Sequence, residues 1–184
     1  MKLKNSLKYY YFPHSFEIKN FRKLIKLQNI SVIVDTNNTN FKIADNFFKT
    51  IKFCRQNQIP YYLTNNYKLA IKYKANGIYL TSDYKMQIYR GIIFSKLNII
   101  GSAHNQNEFF LKRRQFCKEI ALSPLFKTNK YSKNKILDIH RFNLISNKWD
   151  ISLIALGGIN YLNLKKINMT RVLGLGFSSF IETL

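Results

Sequence analysis

The sequence has 184 residues, of which 46% are hydrophobic and 15% aromatic, and its 30 lysines and arginines outnumber 9 aspartates and glutamates. This composition excludes an intrinsically disordered chain and predicts one globular domain over residues 1–184. No apolar stretch approaches the roughly 18 residues of a membrane span, and the apolar run near the basic start is too short for a secretory signal, so we expect no membrane partner.

Short β-rich runs alternate with helical patterns along the whole chain. The β-rich runs lie at 8–12, 30–34, 60–64, 77–80, 98–103, 119–126, 151–156 and 171–177. Helix-like stretches separate the first four runs, at 15–28, 40–57 and 66–74. In the second of these stretches, Phe47, Ile51 and Cys54 recur at helical spacing. The runs are almost continuously apolar, which is typical of parallel strands buried on both faces.

Eight such strand–helix units without a linker predict an α/β fold, a short (β/α)8 barrel. A doubly wound open sheet is the alternative, because strands counted from pattern are easily miscounted. The last seven residues, "SSFIETL", leave room for only a truncated final helix. We therefore expect apolar barrel surface that a second subunit covers, as in a homodimer.

Glycines mark the ends of the last two runs. Gly157 and Gly158 end the seventh run, "IALGGIN", and the sequence after them reads as the start of a helix. The eighth run, "LGLGFSS", holds Gly174, Gly176 and Ser178. Bare main-chain N–H groups followed by a helix N-terminus suit an anion, and barrels often bind phosphate after strands seven and eight. The alternative is a strand-to-helix turn that needs glycine for geometry alone.

Polar residues follow several other strands. They are Thr64, Asn65 and Asn66 after the third run, Thr81, Ser82 and Asp83 after the fourth, and Ser102 and His104 after the fifth. The loop after the sixth run, "SPLFKTNKYSKNK", carries five polar or cationic residues that could close over a phosphate or diphosphate: Lys127, Thr128, Lys130, Lys133 and Lys135. A solvated charged loop is the competing interpretation. His104 is either an acid–base group or a cap of the next helix.

The formal net charge of +21 leaves three interpretations open. An AT-biased coding composition, phosphorylated ligands and nucleic acid would each account for it, but the lysines are spread from Lys2 to Lys166 rather than clustered. Nucleic acid is therefore an unlikely partner, and binding to it would weaken steeply with salt. Cys54 and Cys117 stand far apart without metal-type spacing, which favours a reducing cytoplasm.

Five segments in order resemble the thiamine phosphate synthase family, which also contains the thiazole tautomerases. They are "IPYYLTNNYKLAIKYKANGIYLTSD", "IIGSAHN", "ALSPLFKTNK", "IALGGIN" and "LGLGFSS". The second resembles the family's Gly-x-Ser-x-His segment, and the third resembles its Gly-Pro-x-Phe-x-Thr-x-Thr-Lys loop, one residue short. The similarity runs from about Ile59 to Glu182 and more faintly from Tyr9.

The resemblance implies a (β/α)8 barrel that couples hydroxymethylpyrimidine diphosphate to a thiazole phosphate, giving thiamine phosphate and diphosphate. In that family the pyrimidine diphosphate ionises to a methylene cation, and the thiazole nitrogen captures it. Mg²⁺ on the diphosphate and cationic donors to the leaving group are implied as well. No catalytic nucleophile or general base is implied.

The resemblance also implies which residues bind the substrates. The residues implied to bind a phosphate are Ser102, Gly157, Gly158, Phe177 and Ser178, and those implied to bind the diphosphate are Thr128 and Lys130. Asp83, Asn65 and, as a further substitute, Asp35 are the candidate Mg²⁺ ligands.

The chain departs from the family on the diphosphate side. The family's Asn-Asp pair falls on Thr64 and Asn65, and its second aspartate falls on Tyr84, one position after Asp83. Its strand-two Gln-x-Arg-x-Lys falls on "VDTNN", residues 34–38, where no cation stands. The tautomerase histidine position is Pro124. A barrel that binds thiazole phosphate or thiamine phosphates without turnover is therefore the alternative function.

Overall fold

The protein is an eight-stranded parallel barrel with helices outside it. The structure, a computed structural model, describes residues 7–36, 44–88, 97–128 and 136–179. The strands are β1 Lys8–Tyr11, β2 Ile30–Val34, β3 Tyr61–Thr64, β4 Gly77–Leu80, β5 Asn98–Ala103, β6 Glu119–Leu122, β7 Ser152–Ala155 and β8 Gly174–Phe177. Each strand pairs in parallel with its neighbours in sequence, and β1 pairs with β8, which closes the barrel. The predicted (β/α)8 fold is confirmed, and the open doubly wound sheet is wrong.

The described helices follow six of the strands, β1, β2, β3, β5, β6 and β7. They are α1 Ile18–Leu24, α2 Ala44–Gln56, α3 Tyr67–Lys72, α4 Gln106–Arg114, α5 Asp138–Lys148 and a 3₁₀ helix at Leu164–Met169. Asn66 and Asn105 begin α3 and α4, because each side chain accepts a hydrogen bond from a main-chain N–H in the first turn. Within the described ranges, no helix combines the length and apolar content needed to cross a membrane.

Strand residues alternate between the inside of the barrel and the layer under the helices. One apolar cluster fills the inside and holds Tyr10, Ile33, Tyr62, Tyr79, Ile100, Ala121 and Ile154, with Phe12 and Leu156 against it. The alternate strand residues face outward and pack with the helices in a larger cluster. The inside is therefore a packed core, and only its two ends are open to ligands.

Glycines on β8 make room for aromatic side chains from β1. A Cβ on Gly174 would lie 2.9 Å from the Tyr10 ring, and one on Gly176 would lie 2.7 Å from Leu156 and 3.0 Å from Phe12. Alternation of large and small residues on neighbouring strands is how small barrels fill their interior. Gly174 and Gly176 thus serve packing, and a role of these two glycines in anion binding stays a prediction.

The surface expected to need a second subunit is closed at β8. The outward side chains Leu175 and Phe177 are 2% and 4% exposed within the single chain. Residues 180–184, where a truncated final helix is expected, lie outside the described residues. The homodimer stays a prediction, and β8 offers no exposed apolar side chain in its support.

Candidate functional site

The carboxyl ends of all eight strands meet at one end of the barrel, called the mouth below. Ala155 pairs with Leu175 across β7 and β8, so Gly157 and Phe177, two positions further on, leave the barrel side by side. Neighbouring strands lie about 4.8 Å apart. The structure therefore brings Gly157, Gly158, Phe177 and Ser178 together. Ser102 ends the inward side of β5 at the same mouth, where it is 6% exposed.

The two glycines after β7 are required by the backbone and by a neighbouring loop. Gly157 and Gly158 have φ angles of 92° and 70°, which favour glycine. A Cβ on Gly158 would lie 2.5 Å from the Lys127 carbonyl oxygen, and one on Gly157 would lie 2.8 Å from Pro124 Cα. The Phe126 N–H donates to the Gly157 carbonyl at 3.0 Å. The loop after β6 thus rests directly on these glycines.

The helix expected immediately after Gly158 is absent from residues 159–163, and that expectation is wrong. The chain instead makes turns held by Asn160 and Asn163, and Asn163 Nδ2 donates to the Gly158 carbonyl at 2.7 Å. The 3₁₀ helix begins only at Leu164. A helix dipole therefore does not add to the main-chain amides at Gly158.

Phe177, Thr128 and Lys130 differ in what they can offer a ligand. The Phe177 ring faces outward, 5.8 Å from the Tyr11 ring, so only its main chain is directed at the mouth. The Thr128 hydroxyl oxygen is buried and has no hydrogen-bond partner among the described residues. An orphaned buried hydroxyl favours a missing ligand or water. Lys130, Lys133 and Lys135 lie outside the described residues.

A hydrogen-bonded network joins the ends of β2, β3 and β4. Thr64 Oγ1 donates to Asp35 Oδ1 at 3.0 Å and accepts from the Thr36 N–H at 2.9 Å. Next to it, Asn65 Oδ1 accepts from the Thr81 N–H at 3.0 Å, and Asn65 Nδ2 donates to Thr81 Oγ1 at 2.7 Å. The Asn65 carboxamide makes two hydrogen bonds with Thr81, which fix its orientation. Its role as a metal ligand stays a prediction.

Asp83 is exposed on the loop after β4. A hydrogen bond from the Thr81 side chain holds the pKa of its carboxyl below the usual value, with a smaller contribution from the positive charge of Lys112. Asp83 is therefore an ionised carboxylate at the mouth. No group of three or more His, Cys, Asp and Glu side chains within the described ranges could hold a metal ion. Asp35 and Asp83 could ligate Mg²⁺ only together with oxygens of the substrate, which is how Mg²⁺ is commonly held.

His104 belongs to the cap of α4. Glu108 Oε2 accepts from the His104 main-chain N–H at 2.7 Å and lies 3.0 Å from His104 Nδ1. Asn105 accepts from the Glu108 N–H at 3.0 Å, which completes a reciprocal capping arrangement. The capping alternative therefore describes the geometry of His104.

Sequence reasoning missed Lys112 on α4 and Gln115, which directly follows α4. Lys112 is 0% exposed and Gln115 2% exposed, and both contact the loop after β4 that carries Asp83. The signal was the spacing, because Lys112 stands three residues after the buried Phe109 and so shares its helix face. Nothing else in the segment "FFLKRRQF" indicates that the lysine at position 112 is buried.

The opposite end of the barrel holds a cavity of about 500 Å³. Lys8, Tyr10, Tyr62 and Asn98 are among its lining residues. Tyr10 Oη and Lys8 Nζ both donate to Glu119 at 2.5 Å, and burial with the nearby carboxylate raises the pKa of Tyr10. Ligands of (β/α)8 barrels bind at the carboxyl ends of the strands, so the candidate site remains the mouth.

Known proteins match this chain over most of its length. The profile of the thiamine monophosphate synthase family matches residues 19–181. A thiamine-phosphate synthase of Prochlorococcus marinus is 30% identical over 115 residues, which are 62% of this chain and only 33% of that protein. A thiamine-phosphate synthase of Methanococcus vannielii is 23% identical over 185 residues, which cover 98% of this chain and 90% of that relative.

The fold comparison agrees with the sequence comparison. Thiamine phosphate pyrophosphorylase from Pyrococcus furiosus superposes with a TM-score of 0.74, over 97% of this chain and 88% of that chain, at 18% identity. At that identity the superposition supports the fold alone. The family profile, in contrast, matches residues 19–181, which contain all the barrel strands from β2 to β8. The chain belongs to the thiamine monophosphate synthase family.

Proposed function

We propose that the chain is a divergent thiamine phosphate synthase that couples hydroxymethylpyrimidine diphosphate with thiazole phosphate and releases diphosphate. The observation that carries the proposal is the pair of strand ends at Gly158 and Ser178, side by side at the mouth of a barrel of this family. The names of the relatives suggest the reaction, and the geometry of these two strand ends supports a site for one phosphate group.

The thiazole phosphate would lie between β7 and β8. Main-chain N–H groups at Gly157 and Gly158 approach an oxyanion closely because neither residue has a side chain. The hydroxyl of Ser178, beside them, and that of Ser102, on β5, would donate further hydrogen bonds. This half of the site uses neutral donors, as many phosphate sites on barrel strands do.

The pyrimidine diphosphate would lie across β2 to β4, under the loop after β6. The Thr128 hydroxyl, which has no partner among the described residues, would donate to the diphosphate from that loop, and Lys130 would add a cation. Asp35 and Asp83 would hold Mg²⁺ together with diphosphate oxygens, and the metal would neutralise charge that builds up on the leaving group.

The chemistry asks little of the protein beyond binding and alignment. The bond between the pyrimidine methylene carbon and the diphosphate oxygen breaks, and its electron pair leaves with the diphosphate. The thiazole nitrogen then donates its lone pair to the same carbon, so one C–N bond replaces one C–O bond. The barrel mouth would hold the two reactants in line, and the packed interior below it excludes water from that side.

A barrel that binds these phosphates without turnover is the second candidate. Two observations favour it: the Asn65 carboxamide is engaged with Thr81, and residues 34–36 at the end of β2 carry no cation. Both observations concern the diphosphate half. The two candidates therefore differ in whether the pyrimidine diphosphate is bound and ionised.

Incubation of the purified protein with both substrates and Mg²⁺ tests the proposal. We expect thiamine phosphate and diphosphate in equal amounts, measured by thiochrome fluorescence and by a coupled diphosphate assay. Separate titrations with each substrate distinguish the two candidates. Binding of thiazole phosphate without turnover would support the second candidate, and binding of neither substrate would contradict both.

A further inference from the structure

Lys112 is a fully buried lysine whose ammonium group holds the loop after β4. Its side chain is 0% exposed. Nζ donates to the Thr81 carbonyl at 2.5 Å, to the Tyr84 carbonyl at 2.9 Å and to Gln115 Oε1 at 3.1 Å. An ammonium group has three N–H donors, so these bonds use all of them. Lys112 is therefore fixed, unlike a surface lysine.

Gln115 completes the hold on the same loop. Its Nε2 donates to the Tyr84 carbonyl at 3.0 Å and to the Met86 carbonyl at 2.8 Å. Asn65 binds the loop from the other side, through the N–H and the hydroxyl of Thr81. The segment from Thr81 to Met86, called the β4 loop below, is thus anchored at three of its carbonyls from α4 and at its first residue from β3.

The barrel wall is adapted to the lysine. A Cβ on Gly101 of β5 would lie 2.9 Å from Lys112 Cγ and 3.0 Å from Lys112 Cδ. Glycine at this position lets the aliphatic stem of Lys112 cross the strand and deliver the ammonium group to the β4 loop. In the segment "GSAHN", Gly101 therefore accommodates Lys112, and Ser102 is the candidate phosphate-binding residue.

The charge of Lys112 has no carboxylate bonded to it, because its three donors go to neutral oxygens. A buried cation is costly unless it is paired, and Met or Leu would fill such a pocket at less cost. Its field in the low-dielectric layer favours negative charge nearby. Asp83 on the β4 loop is one such negative group.

We propose that Lys112 is a positioning residue of the diphosphate half of the mouth: it fixes the β4 loop with Thr81 and Asp83, and it places a buried positive charge behind the bound diphosphate. This proposal rests on the proposed function. It assigns to the outer layer under α4 a cation that residues 34–36 at the end of β2 do not supply. Lys112 does not touch the substrate in this scheme.

The variant Lys112→Met, which keeps an unbranched apolar stem, tests the proposal. We expect the affinity for hydroxymethylpyrimidine diphosphate with Mg²⁺ to fall about 10-fold, because one buried positive charge is lost. The affinity for thiazole phosphate should stay within about 2-fold, since the hydrogen bonds of Lys112 Nζ go to Thr81, Tyr84 and Gln115, away from the β7–β8 half. Calorimetric titration measures both. A purely structural lysine would weaken both ligands alike or neither, and either result would overturn the proposal.

Two further variants keep the test decisive. Lys118→Met removes an exposed positive charge just after α4 and should leave both affinities unchanged. Gln115→Leu keeps the ammonium group and serves if Lys112→Met does not fold. It should speed amide hydrogen exchange over residues 81–86 and weaken the diphosphate ligand, and unchanged exchange and affinity would overturn the proposal. If the wild-type protein itself fails to bind the pyrimidine diphosphate, the proposed function fails first, and the role of Lys112 fails with it.

Discussion

The two halves of the barrel mouth are built by different means. Between β7 and β8 the candidate phosphate site consists of main chain and hydroxyl groups, and it depends on Gly157 and Gly158. Across β2 to β4 the candidate diphosphate site consists of linked side chains, among them Asp35, Thr64 and Asn65. A backbone site can change only by changing the fold, whereas a side-chain site can be rebuilt by substitution. The side-chain half can therefore diverge by substitution while the main-chain half is retained.

The packing of the helical layer outside the barrel can be tested at two positions through the two cysteines, Cys54 and Cys117, both buried. Burial raises the pKa of Cys54, on α2, to about 12, and the pKa of Cys117, just before β6, to about 12, from 9.0. The thiolate is the reactive form, so at pH 8 both should react about 1,000-fold more slowly with iodoacetamide than in unfolded protein. The stabilisation by neutral thiols is complete below pH 9 and is lost as the pH rises toward 12. Fast labelling of one cysteine would show that the packing around that cysteine opens locally.

Substitution of Gly158 tests whether the β7–β8 half depends on backbone geometry. Gly158→Ala should destabilise the fold by at least about 2 kcal/mol, because φ is 70° and the new Cβ would meet the Lys127 carbonyl. Thermal or guanidinium unfolding measures the loss. Ser179→Ala, at an exposed position on the neighbouring loop, is the control. A Gly158→Ala protein as stable as wild type would contradict the geometry described for this half.

Substitution of Asp83 tests whether the β2–β4 half depends on a carboxylate. Asp83→Asn should weaken binding of hydroxymethylpyrimidine diphosphate about 10-fold in the presence of Mg²⁺, since an amide is the poorer Mg²⁺ ligand. With EDTA in place of Mg²⁺, the variant and the wild type should bind equally. A loss of the same size in EDTA would mean that Asp83 acts by another route than the metal.

Ser178→Ala should have the smallest effect, about a 5-fold loss of affinity for thiazole phosphate, because one neutral hydrogen bond is removed. The pyrimidine diphosphate should bind as before. Titration of the two ligands separately measures the split. An unchanged affinity for thiazole phosphate would mean that the Ser178 hydroxyl does not bind the phosphate and that main-chain groups alone do.

The sequence was sufficient for the barrel because each strand carries its own signal. Runs such as "ISVIV" and "NIIGSA" are buried on both faces, and the structure places strands at Ile30–Val34 and Asn98–Ala103. The β7–β8 neighbourhood followed from strand order alone. The predicted runs at 119–126 and 171–177 extend beyond β6 and β8, because Leu125, Phe126, Val172 and Leu173 are apolar although they lie outside the strands.

The details of the site depended on contacts that no local pattern reveals. The sequence did not show that Gly174 and Gly176 lie against the side chains of Tyr10 and Phe12. It did not show that the Asn65 carboxamide bonds to Thr81. It also gave no reason to single out Lys112. In each case the partner lies on another strand or helix, and one sequence cannot show which partner a polar side chain chooses.

The aromatic side chains inside the barrel block the passage of small molecules along its axis. The Tyr10 and Tyr62 rings meet edge to face at 6.5 Å, and the Phe12 and Tyr79 rings at 5.3 Å, across the axis. This plug separates the mouth from the cavity at the other end, so the two compartments exchange with solvent independently. A ligand bound beside Lys8 and Asn98 could not pass through the barrel interior to the carboxyl ends of the strands. Any influence it had on them would have to travel through the strands themselves.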